Sequence, residues 1–208
     1  MSAGGFARQL LNSLSPSDPN RDKVKIIVQE VSRLESILRM ILNYMHPVKL
    51  DLSPVDPESW VKNAISAVSA AAAKKDIQIT SQLRPGLPEI YMDRTHMSES
   101  LETLFQNAIY QMEKGTSLSI STCREGEIFK LQICYPVKHI DRDDVKAFFY
   151  PFAISCMKLD TVDLSIVKTM INKHGGTIKA NLKSSGEIII EISLLFGRNL
   201  SITADQSH

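Results

Sequence analysis

The sequence has no apolar run near the ~18–20 residues that a helix needs to cross a bilayer. Its apolar runs are short, as at Ile188–Ile190 and Ala70–Ala73. The opening MSAGGFARQLL shows neither the charged start, apolar core nor cleavage site of a signal peptide. Charge of one sign is also missing. With 24 basic against 23 acidic residues the formal net charge is +1, which leaves no electrostatic footprint for nucleic acid or an anionic membrane. Cysteine is scarce: Cys123, Cys134 and Cys156 are odd in number and lack metal-ligand spacing, and they read as reduced, partly buried thiols. These absences exclude nucleic acid and membrane as partners. They point to a soluble, cytoplasmic protein that receives or relays a signal, or to an intracellular enzyme.

The stretch MSESLETLFQNAIYQM, Met97–Met112, organises the rest. Met97, Leu101, Leu104, Phe105, Ala108 and Met112 recur at helical spacing and predict one buried stripe. Glu99, Thr103 and Asn107 lie four apart along another face, which either lines a site or meets water.

Ahead of that helix, residues 3–14 predict a short helix closed by SPSDPN. In the next helix Val24, Ile27, Val31, Leu34, Leu38, Ile41 and Met45 alternate in steps of three and four, a heptad seam. Ile26, Ile37, Met40 and Tyr44 widen the apolar surface. Such a hairpin cannot bury this much apolar area alone, so the expectation is a homodimer with a four-helix bundle. His46-Pro47 ends the helix.

From there the pattern alternates between helix and strand. The expected elements are a strand at Lys49–Leu52, a helix from Asp56-Pro57 to Lys75, strands at Ile77–Leu83 and Glu89–Met92, the central helix closed by Lys114-Gly115, and a hairpin of Leu118–Thr122 and Ile128–Cys134 across CREGE. A helix at Leu159–Lys173, stopped by His174-Gly175-Gly176, and a last hairpin of Thr177–Leu182 and Glu187–Leu194 follow. The fold class is therefore α+β: a helical hairpin dimerisation domain over residues 1–47, a two-layer α/β sandwich over 48–196, and a frayed tail over 197–208.

Four blocks, GGFARQLL with EVSRLESILRMILNYMHPVKL, then Asp93 with QNAIYQMEKG, then FYPF at Phe149–Phe152, then HGGTIKANLKSSGEIIIEISLLF from His174, resemble in order and spacing the histidine kinases of two-component signalling. The resemblance runs from about Gly4 to Phe196. It implies part of a dimerisation and phosphoacceptor domain followed by a GHKL-type (Bergerat) ATPase-like domain. The hairpin reads as truncated, because the family's phosphoaccepting His would precede Gly4. None of His46, His96, His139, His174 and His208 holds that position, and His174 reads as a helix C-cap.

Residue by residue, the resemblance implies a degenerate nucleotide site. Where the family has a general base or polar residue, a magnesium-ligating Asn and a further Asn, this chain has Glu99, Thr103 and Asn107; a neutral hydroxyl is a poorer donor to a hard cation. Where the family has D-x-G-x-G-I, the run is YPVKHI, so that Tyr135 stands for the adenine-reading Asp, and Val137 and His139 for the two glycines. A phenol is not an ionised acceptor near neutral pH, and β-branched Val137 resists a positive φ. The phosphate-wrapping G-T-G-L-G-L is matched by LDTVDL at Leu159–Leu164, in which every glycine is gone, Thr161 standing for one of them, and two carboxylates, Asp160 and Asp163, have arrived. Val137, Phe149 and Phe152 are the apolar side chains expected to fill vacated space.

The function this implies is a bacterial histidine-kinase-like pseudokinase of a phosphorelay, with no cofactor: ATP and Mg bind weakly or not at all. Its partners are a second copy and the receiver domain of a response regulator, or a partner histidine kinase. Positions flanking the seam, Arg8, Gln29, Arg33, Ser36 and Arg39, are expected to make the contact. The alternative is an active histidine kinase, a histidine phosphotransfer protein or a fragment of one with unusual site residues. The cluster His139, Asp141, Asp143 and Asp144 reads as a solvated loop and not as a metal site.

Overall fold

A computed structural model describes residues 3–15, 18–45, 49–138, 140, 145, 148–149 and 164–197, with the side chains of 3–4, 32–33 and 36–45 outside the description. The chain forms two compact units, Met1–Lys49 and Leu50–His208.

In the first unit, helix α1 spans Ala3–Ser13 and helix α2 spans Arg21–Met45. The turn between them is held from both sides. The Asp18 carboxylate accepts from the Asn20 N–H at 2.8 Å, and the Arg21 guanidinium donates to the carbonyls of Leu11 at 3.2 Å and Leu14 at 2.6 Å, which the end of α1 leaves without helical partners. Val24, expected on the partner-facing seam, is buried within the single chain. Ile26, Ile27 and Leu34 on α2, with Phe6 and Leu10 on α1, are more than half exposed. Gln29, expected among the exposed positions, is half-buried, whereas Arg8 is exposed.

The second unit is a helical layer on a mixed sheet. Strand β1 (Leu52–Val55) pairs antiparallel with β3 (Ile90–Asp93) in a small ladder, Leu52 opposite Asp93. The main sheet has the order β2-β4-β5-β7-β6, from Gln78–Gln82, Ser117–Glu125, Ile128–Pro136, Glu187–Leu195 and Thr177–Leu182. Among the described strands of this sheet only β2 and β4 run parallel. Alternation decides which face is covered: Phe129, Leu131, Ile133 and Tyr135 of β5, with Ile188, Ile190, Ile192 and Leu194 of β7, turn inward. They share one core with Trp60, Val61 and Val68 of helix α3 (Pro57–Lys74), the stripe of α4 (Arg94–Gln111), and Val167 and Ile171 of α5 (Ser165–Lys173). The expected stripe Met97, Leu101, Leu104, Phe105, Ala108 and Met112 is buried throughout.

Several expected boundaries move, each for a local reason. The first strand lies three residues later than Lys49–Leu52 and contains Pro54, which an edge strand tolerates because no ladder bond needs its missing N–H. The central helix begins at Arg94, directly after Asp93 as expected, because Asp93 supplies the N-cap, and it ends at Gln111, short of the expected Lys114-Gly115 stop. The CREGE hairpin tightens to a turn at Gly126-Glu127, with Gly126 at φ 60°, so both strands grow to nine residues. The last helix is described from Ser165, and the expected Leu159–Asp163 start lies outside the described residues.

Helix ends position the layer. Asp56 caps α3 by accepting from the Glu58 and Ser59 amides, with Pro57 in the first turn. At the other end Asp76 takes φ 54° so that the Ile77 N–H reaches the Ala72 carbonyl at 2.9 Å. Next to it the Lys75 ammonium donates to the carbonyls of Ile109 at 3.0 Å, Tyr110 at 2.7 Å and Met112 at 2.9 Å. One cation thus closes the C-terminal end of α4, where the helix dipole favours positive charge.

Candidate functional site

Helix α4 carries the polar file, and its start is tied by several hydrogen bonds. The buried Asp93 carboxylate accepts the His96 N–H at 3.1 Å through Oδ1 and the Asp51 N–H at 3.1 Å through Oδ2, with His96 Nδ1 2.9 Å from Oδ2. Burial pushes the carboxyl's pKa up, but the bonds from the His96 amide, the His96 ring and the Asp51 amide outweigh it and hold the group at about 2. The Asp93 N–H in turn donates to Nε2 of His174 at 2.9 Å, and His174 Nδ1 lies 2.8 Å from the Met170 carbonyl. A carbonyl only accepts, so the proton sits on Nδ1 and Nε2 is the acceptor. The expected role of His174 as C-cap of α5 holds; its reach to Asp93, 81 residues away, was not legible in the sequence.

Down the helix the file passes from water into the core. Glu99 is exposed, Thr103 is half-buried and Asn107 is buried. Gln111 Nε2 donates to Asn107 Oδ1 at 2.7 Å, so the side chain of Asn107 is engaged within its own helix. Gln111 was missed by sequence reasoning, although its place four residues after Asn107 is the signal that would have found it.

Tyr135 occupies the inward face of β5, opposite Ile188 of β7, and is fully buried. Val137, just past the strand, packs against the core and donates its N–H to the Gly186 carbonyl at 3.2 Å. Phe149 is buried and meets Phe148 edge-on at 5.5 Å. His139, Asp160, Thr161, Asp163 and Phe152 lie outside the described residues, as do the side chains of Arg33, Ser36 and Arg39. Tyr135, Val137 and Phe149 therefore join one apolar core, while Glu99 stands apart in solvent. Among the described residues no three His, Cys, Asp or Glu side chains are placed to hold a metal ion. No described helix is long and apolar enough to cross a membrane.

A helical layer on a mixed sheet, with a polar file descending the helix that follows the Asp93 cap, defines the class: an α+β domain with the fold of histidine kinase catalytic domains. In sequence the chain resembles sensor histidine kinases. It is 26% identical to the sensor histidine kinase ZraS of Escherichia coli O157:H7 over 185 residues, 88% of this chain and 38% of that relative. The chain thus spans under two fifths of that relative's length. The catalytic domain of histidine kinase ThkA superposes with a TM-score of 0.64 at 16% identity, covering 70% of this chain and 95% of that one. ThkA in complex with the response regulator TrrA superposes with a TM-score of 0.67 at 21% identity, covering 92% of this chain and 56% of that one. No family model matches.

Proposed function

We propose that this chain is a catalytically degenerate, histidine-kinase-like protein of two-component signalling that acts as a dimeric binding partner of a response-regulator receiver domain or of another histidine kinase. The observation that carries the reading is Tyr135: where the resemblance calls for an adenine-reading carboxylate, a phenol ring is fully buried on the inner face of β5. Asn107 Oδ1 already accepts from Gln111 Nε2 within its own helix. Support for the partner class comes from ThkA, which is seen with a response regulator.

Mg-ATP is expected to leave the melting temperature unchanged at millimolar concentration. A ligand at 100 times its dissociation constant stabilises the state it binds by ~2.7 kcal/mol, so a clear upward shift would defeat the reading. One feature favours the alternative of an active kinase with unusual residues: Asn107 is retained at a family position. The same titration separates the two.

The receiver or partner kinase docks on the hairpin through Arg8, Gln29, Arg33, Ser36 and Arg39. Reversing the charge of Arg33 and Arg39 is expected to weaken capture of a purified receiver domain at least about tenfold, the effect of losing ~1.4 kcal/mol, without altering the circular dichroism spectrum. If those variants capture the partner normally while substitution of Asp160 and Asp163 abolishes capture, the interaction belongs to the α/β unit instead.

A further inference from the structure

His174 joins two helices through a bond that only its neutral form can make. His174 is 6% exposed, with the Nδ1 proton committed to the Met170 carbonyl and the Nε2 lone pair committed to the Asp93 N–H. A second proton could bind only at Nε2, and it would face an N–H that can only donate. We propose that His174 is a proton-operated latch: neutral, it ties the C-terminal end of α5 to the N-cap of α4, and protonated, it releases the Asp93 amide and with it the start of the helix that carries Glu99, Thr103 and Asn107. This device does not depend on the chain's kinase ancestry.

The surroundings bias the latch toward the closed form. Burial disfavours the imidazolium most strongly; the bond to Met170 and the Asp93 carboxylate oppose this, and a charge on His96 adds to it, so that the pKa lies below its ordinary 6.5. Asp93, at the junction of β3 and α4, and His96, in the first turn of α4, are the titratable groups that face the ring, and β6 brings none among the described residues. Because the folded state binds the proton less readily than the unfolded chain, the latch contributes its full stability above pH 6.5 and loses it progressively as pH falls. The Asp93 carboxylate, held at about 2, stays ionised through that window. Gly176 keeps the latch short. A Cβ there would sit 2.6 Å from Leu194 Cδ2 and 2.7 Å from the Ser193 carbonyl, so the chain turns into β6 at once.

The test uses the ¹⁵N-labelled full chain, reading imidazole nitrogen shifts and amide hydrogen exchange in one sample series. At about pH 7.5 the His174 proton is expected on Nδ1. Between there and about pH 5, the protection of the Asp93 amide, corrected for intrinsic exchange, should fall about tenfold or more. Protection at Ile133, in the centre of the sheet, should stay level. His174→Gln retains an acceptor that does not titrate and should flatten the Asp93 response. A neutral ring protonated on Nε2, an Asp93 amide indifferent to the ring's titration, or an equal fall in His174→Gln would each overturn the latch. Should that variant fail to fold, the ring shifts and Asp93 protection of the unmodified chain decide by themselves.

Discussion

Replacing Tyr135 with Ala is expected to destabilise the α/β unit by about 3–5 kcal/mol, the range for truncating a large buried aromatic ring. The ring is fully buried, and its strand is central, with β4 on one side and β7 on the other. A close-packed interior on both sides leaves little room for the backbone to collapse into the void. Tyr135→Phe keeps the shape and should lose no more than about 1.5 kcal/mol, the net worth of an ordinary hydrogen bond. The difference between the two variants separates packing from the hydroxyl. Urea unfolding followed by circular dichroism reads both. A loss under about 1 kcal/mol for Tyr135→Ala would mean that the ring lines open space, and the reading of a degenerate site carried by a buried Tyr135 would fall with it.

Changing Leu34 and Leu38 together to Glu is expected to convert a dimer into a monomer. Leu34 is 60% exposed in the single chain and Ile27 is more than half exposed, so these two residues of the seam predicted from spacing are uncovered within one copy, whereas Val24 is buried; Ile26, Phe6 and Leu10 are exposed on the same hairpin. A buried aliphatic side chain contributes ~1.5–3 kcal/mol. The double substitution removes four such side chains from a symmetric interface, at most ~6–12 kcal/mol, and ~1.4 kcal/mol is tenfold in affinity. Even half of the lower figure moves the dissociation constant by about a hundredfold. Light scattering at micromolar concentration reads the change. A monomer for the unmodified chain under those conditions removes the proposal outright, and a dimer that survives the double substitution moves the interface elsewhere.

Local chemistry made much of this fold legible. Glu187–Leu194 read as the second strand of a last hairpin, and β7 spans Glu187–Leu195 with burial that alternates along it. Asp56-Pro57 announced a helix start, and the His174-Gly175-Gly176 stop holds because Gly175 takes φ 69°. The α4 stripe was readable because 3.6-residue periodicity needs no knowledge of what packs against it.

Other features belong to the tertiary structure. Spacing put Glu99, Thr103 and Asn107 on one face, yet the first is exposed and the last buried, since depth along a helix depends on the layer it enters. The separation of β1 and β3 into their own small sheet, and the parallel pairing of β2 with β4, arise from which edges meet.

What the sequence by itself determined is the set of elements, the buried stripe of α4 and the identity of Tyr135 at a position where the family resemblance expects a carboxylate. Each of these rests on residues a few positions apart, where covalent geometry already sets the spacing. Only the tertiary structure decided that Tyr135 is buried, that Lys75 closes α4, and that His174 accepts from Asp93. The physical reason is that a hydrogen bond is written in distances of about 3 Å and in direction, and two groups 81 residues apart acquire both only when the helices that carry them are packed.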